Sequence, residues 1–146
     1  MSDKLPRLTA MQDSVMEDLA IALQAGAASE HGRAAFRRGM DCLDRLNELK
    51  ADHIYAPLSA EPMLRDYVSH LDSQLIGLMS RIDVLRMHVE LALESGSHGF
   101  AELDRSLAGL ARQLKASFRR EAALIPIYAD WRARQTTTAV VALQRA

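Results

Sequence analysis

The sequence predicts an all-α fold, an up-and-down four-helix bundle with a short C-terminal helical tail, on three observations. Only 5% of the 146 residues are aromatic while Ala and Leu abound. No alternating Val/Ile/Thr run marks a strand. Apolar residues recur at steps of three and four through four segments joined by short connections. The four prolines, Pro6, Pro57, Pro62 and Pro126, divide the chain into two parts of similar plan, each a helical hairpin.

The first helix is expected from Thr9, where Gln12 stands three residues after a capping hydroxyl, to about Gly26, with an apolar face of Val15, Met16, Leu19, Ala22 and Leu23. After Gly26 to Gly32, a second helix carries Phe36, Cys42, Leu43, Leu46 and Leu49 toward Pro57, and His53 continues its stripe. Pro57 to Pro62 forms the middle turn, with Ser59 as a cap. The third helix is the clearest: Leu64, Tyr67, Leu71, Leu75, Leu78, Ile82, Leu85 and Val89 run to Ser95-Gly96. A fourth helix from Phe100 aligns Leu103, Leu107, Leu110, Leu114 and Phe118 until Pro126 interrupts it. Ile127 to Ala146 either docks as a short helix or frays.

A composition of 49% hydrophobic and 25% charged residues suits one domain over residues 1–146, with a core at about 8–131. Lys plus Arg is 18 and Asp plus Glu is 19, so a net charge of -1 offers no field to gather nucleic acid or an anionic membrane. The single cysteine, Cys42, excludes an internal disulfide framework and suits a reducing cytoplasm. The opening MSDKLPRLTAMQ has no apolar stretch of the secretory kind, and no segment is apolar enough to span a bilayer. A soluble cytoplasmic protein is expected.

Glu121 is the most informative residue, because it falls seven after Leu114 on the apolar face of the fourth helix. A buried carboxylate must be paired, protonated or bound to a cation. An ion pair to an arginine, a water-wetted bundle end and a bound cation all satisfy it. Stranded without metal, it would make Glu121→Gln stabilising. His70 flanks the third-helix stripe one turn after Asp66. Folding the third and fourth helices about Ser97 brings it to the level of Leu124, less than a turn from Glu121. His53 lies near the same end, either as a ligand or as a helix-end histidine favoured by the dipole. Gln12 begins the first helix there, as a ligand or a capping partner. Glu48 and Asp52 read as a solvated face, His88 is too far along to share a metal with His70, and His31 and His98 read as loop residues. Cys42 reads as a core thiol, and Arg37-Arg38 and Arg119-Arg120 as solvated pairs. No H-E-x-x-H, Glu-x-x-His pair, phosphate-binding glycine loop or G-x-S-x-G is present, so most enzyme classes lose support.

The run L-x2-L-x3-L-x2-S-F-x2-E-A-x-L-I-P-I-Y from Leu107 to Tyr128 resembles the fourth helix of the hemerythrin-like (HHE) cation-binding family, whose pattern is L-x2-H-F-x2-E-E-x2-L-F/Y-P. Glu121 matches the family's glutamate, Ser117 stands in its histidine's place, and Ala122 stands where a second acid often follows. The resemblance extends weakly over Leu8 to Trp131. His70 falls where a third-helix histidine is expected. In Leu46 to Leu58, Leu49 takes the histidine place and His53 the glutamate place, and in L-T-A-M-Q-D Gln12 takes another histidine place. The resemblance therefore implies a degenerate site of His70, Glu121, His53 and Gln12, three nitrogen donors short of a di-iron oxygen carrier.

Two functions follow as expectations. The first is a non-enzymatic sensor, regulatory or accessory protein holding at most one divalent cation such as iron, zinc or manganese. The second is a metal-free interaction module, self-associating or binding another protein through an outer helix face or the apolar tail segment Ala139-Val140-Val141-Ala142-Leu143. Metal-assisted hydrolysis ranks third, because no general base can be named.

Overall fold

The computed structural model describes residues 4–95 and 100–145. Among the described residues the chain is all-helical, with no strand. The elements are α1 (Lys4–Ala25), α2 (Glu30–Lys50), a π-helical turn (Ala51–Tyr55), α3 (Ala56–Ser59), α4 (Arg65–Ser95), α5 (Phe100–Ala122) and α6 (Leu124–Arg145). The turn about Ser97 and His98, and the side chains beyond residue 135 that include the apolar tail segment, lie outside what is described.

Three helix boundaries differ from expectation, and proline chemistry explains each. α1 already includes Lys4, so Thr9 is interior and Gln12 is not a capping partner. Pro6 is tolerated because first-turn amides have no intrahelical acceptor. α2 does not stop short of Pro57 but passes into the π-helical turn, where the Ala56 amide donates to the Ala51 carbonyl five residues back. Pro57 cannot donate to the carbonyl of His53 and its ring crowds that oxygen, a conflict that a wider turn relieves. Pro126 has the same conflict with Ala122, and there α5 ends and the chain turns at Ala123. The tail is then a 22-residue helix rather than a short one.

The α1–α2 turn is built locally. Gly26 takes φ +89°, a conformation that other residues adopt at a cost, and its amide still bonds the Ala22 carbonyl at 2.9 Å. Ser29 caps α2 by accepting from the Gly32 amide at 2.9 Å and donating to the Gly26 carbonyl at 2.8 Å. His31 is consequently an exposed residue of α2's first turn rather than of a loop. Asp104 of α5 accepts from the Ala27 amide at 2.9 Å, which pins the fourth long helix to this turn.

Most of the expected stripes form the core, but Tyr67, read in the third stripe, is 40% exposed and Val68 is buried in its place, while Met16, Leu23, Cys42 and Leu49 are half-buried. Val15, Leu19 and Ala22 of α1, Phe36, Leu43 and Leu46 of α2, Leu71 to Val89 of α4 and Leu103 to Phe118 of α5 are buried in one cluster. α1 packs on α2 and α5, α4 packs on α5 and α3, and α6 packs on α5. Links from α2 to α4 are polar: Arg37 to Glu90 at 2.7 Å, Arg86 to Asp44 at 3.0 Å, and the Asn47 amide against the Met79 sulfur at 3.2 Å. α6 docks through Tyr128, whose ring stacks on Trp131 at 6.1 Å, and through the Trp131 indole, which donates to Glu61 at 2.8 Å.

Candidate functional site

The stripe of α2 ends on a charge. Lys50 follows Leu46 by four residues, so it points into the core, where it is only 2% exposed. Glu121 reaches the same place from α5 and is 6% exposed. Lys50 Nζ donates to both carboxylate oxygens, at 2.9 Å to Oε1 and 2.7 Å to Oε2. The Tyr55 hydroxyl donates to Oε2 at 2.8 Å, and buried Ser117 adds a long contact to Oε1 at 3.4 Å. The Phe118 ring lies 5.1 Å from the ammonium and takes up charge that the carboxylate does not face.

Tyr55 is present because of the π-helical turn. That geometry pairs backbone groups five apart and widens the turn, which brings Tyr55 to the side of the helix where Lys50 meets Glu121. Ile54 continues the stripe of Leu46 and Lys50 at a step of four, and the wider turn adds Tyr55 to the buried face while His53 stays half-buried.

Burial lowers the Lys50 pKa below the ordinary lysine range, and the charge and hydrogen bonds of Glu121 offset part of that shift. Burial, followed by the neighbouring carboxylate, pushes Tyr55 far above the ordinary tyrosine range. A cavity of about 20 Å³, the size of one water molecule, adjoins the pair and is lined by Leu8, Thr9, Gln12, Ile54 and Leu124 besides the three polar groups.

The sequence-derived candidates divide. Gln12 and Glu121 share this cavity. His53 is half-buried outside its lining. His70 is exposed on α4, with its Nε2 3.3 Å from Gln74 Nε2. Among the described residues no group of three or more His, Cys, Asp or Glu converges as a metal site would require. Glu48, Asp52 and His88 are exposed. Cys42 is half-buried, its thiol 3.7 Å from the Met11 carbonyl and its pKa raised chiefly by burial, an environment that disfavours the reactive thiolate. No helix of the described residues is long and apolar enough to cross a membrane.

Sequence reasoning missed Lys50 and Tyr55. The signal for Lys50 was present: it is four residues from Leu46 and four from Ile54, inside an otherwise apolar stripe. Compared with known proteins, the chain matches no family model, no curated protein and no solved structure.

With Lys50 in place, Glu121→Gln strands an ammonium instead of relieving a charge and is expected to destabilise. Lys50→Met leaves an unpaired carboxylate and should cost about 3–5 kcal/mol, whereas Lys50→Met with Glu121→Leu should recover most of that loss. Urea midpoints of the wild type, Lys50→Met, Glu121→Leu and the double variant that joins these two changes give the cycle; additive losses would contradict the pairing.

The raised pKa of Tyr55 contributes stability that is complete below the ordinary tyrosine value of about 10 and is lost as pH rises above it, because the unfolded chain then releases a proton that the native chain keeps. Between about pH 9 and about pH 11 the wild type should therefore lose more stability than Tyr55→Phe. Equal losses in urea melts at the two pH values would show that the hydroxyl is not buried against Glu121.

Proposed function

We propose that this chain is a non-enzymatic helical interaction module whose core carboxylate is neutralised by its own lysine rather than by a bound metal. The observation that carries the reading is the contact of Lys50 Nζ with both oxygens of Glu121, at 2.9 and 2.7 Å. A cation coordinated there would have to take lone pairs already engaged by an ammonium, and expel a lysine that is 2% exposed.

The packing of α1 on α2 and α5, of α4 on α5, and the polar links from α2 to α4 support an up-and-down four-helix bundle with α6 as its tail. That plan, with the motif around Glu121, supports kinship with the hemerythrin-like fold. In this reading Lys50 does the electrostatic work of a cation in a site whose histidine places are held by Leu49, Ser117 and Gln12. Lys50 also lacks the setting of a catalytic amine, because it is tied to a carboxylate and the adjoining cavity admits nothing larger than water. A net charge of -1 favours a protein partner over nucleic acid, and the shielded Cys42 suits the reducing cytoplasm.

Elemental analysis of the untagged chain, purified without chelators and then incubated with iron, zinc or manganese, tests the reading. Well below one metal per chain is expected before and after incubation. Near one metal per chain, lost in Glu121→Gln, would overturn the reading in favour of a mononuclear site built from His70, Glu121, His53 and Gln12.

A further inference from the structure

α4 carries two apolar stripes on opposite sides. Val68, Leu71, Leu75, Leu78, Ile82, Leu85 and Val89 face the core. Ile76, Val84, Met87 and Leu91 remain 61%, 48%, 53% and 53% exposed. At 100° per residue this second set lies about half a turn from the first. Positions 77, 80, 84, 87 and 91 alternate steps of three and four, the spacing of a helix–helix seam, with Gly77 and Ser80 as small residues at its first two places. One edge of the seam carries Asp83 and Glu90, the latter already paired with Arg37 of its own chain, and the other carries Arg81 and His88. Beyond the basic edge a groove of about 390 Å³ runs between α4 and α5, with Arg81, His88, Ser106 and Gln113 in its walls.

We propose that this seam docks a second copy of the chain, α4 against α4, with the two helices parallel about a two-fold axis that runs along them. The proposal deepens the reading of the chain as an interaction module by naming its partner. Charge order selects the arrangement. In a parallel pair each edge faces the opposite edge of the other helix five residues away, which sets Asp83 of one copy against His88 of the second copy and Arg81 against the apolar Ile76. In an antiparallel pair each edge meets its own equivalent and like charges oppose. Asp83 makes no ion pair within its own chain among the described residues, and Arg81 has only the neutral Gln113 oxygen, at 3.3 Å. From Gly77 to Leu91 the seam is about 21 Å long. A single helix face of that length falls short of the roughly 800 Å² per partner of a standard interface, so the dimer is weak, with dissociation in the micromolar range or above.

Sedimentation velocity on the untagged full chain, from about 10 µM to about 1 mM, is the test. The wild type is expected to pass from monomer to dimer across that range. Val84→Glu with Met87→Glu should stay monomeric while keeping the wild-type helical circular dichroism and urea midpoint, since both positions are exposed. A parallel seam sets each residue against its own copy, so Ser80→Cys and Met87→Cys should each oxidise to a covalent dimer, with the wild type, which has only Cys42, as control. A monomer at every concentration overturns the proposal, and so does a dimer that survives Val84→Glu with Met87→Glu. Cross-links that form only when the Ser80→Cys and Met87→Cys chains are mixed overturn the parallel arrangement. Stoichiometric metal would overturn the metal-free core and leave the seam untouched, whereas a strict monomer would overturn the seam and leave the core untouched.

Discussion

Two opposite charges taken out of water in a helical core must find each other, and in this protein Lys50 and Glu121 do so at the end of α2 and near the end of α5. Their pairing is worth little net against two apolar residues of the same volume, because both ions have given up their hydration. Separation is what costs. Any slip of α2 against α5, or rotation of either helix, would leave one or both charges buried without a partner. The pair therefore acts as a register pin between α2 and α5, and the acceptor capacity left on Glu121 explains why Tyr55 and Ser117 are drawn to the same point.

The geometry around the pair follows from two prolines. Pro57 sets the stretch before it in a π-helical turn, which brings Tyr55 to Glu121 beside Lys50 and leaves His53 half-buried. Pro126 ends α5 just after Glu121, so the carboxylate sits in the last turn before the chain redirects into α6. Both prolines act through the carbonyl four residues back, to which neither can donate. Opposite charges and a tyrosine fill the core at this level, and among the described residues α4 presents a second apolar stripe on its outer side.

Helical periodicity made most of the fold legible in the sequence. Leu71 to Val89 and Leu103 to Phe118 repeat at three and four without interruption, and both stripes are buried as read. Glu121 was legible for the same reason, as a carboxylate in a leucine position. Its partner was legible by the same spacing, four residues after Leu46, but went unread because the stripe was followed through Leu49 to His53 instead. That path assumed regular α-helical phase through Pro57, and the π-helical turn breaks it. Thr9 misled differently: its hydroxyl and Gln12 imitate a capping box, while Pro6 in the first turn lets α1 extend back to Lys4. The length of α6 was also out of reach, since Pro126 marks a boundary without saying whether a helix restarts beyond it.

The most direct test of the central claim is NMR of the Lys50 side-chain nitrogen and the Glu121 carboxyl carbon in the metal-free chain at neutral pH. The account predicts a protonated Lys50 Nζ whose hydrogens exchange slowly with water and show contacts to the Phe118 ring, beside a Glu121 carbon at the shift of an ionised carboxylate. A rapidly exchanging, solvent-like Lys50 signal, or a Glu121 carbon that moves on addition of iron, zinc or manganese, would contradict it.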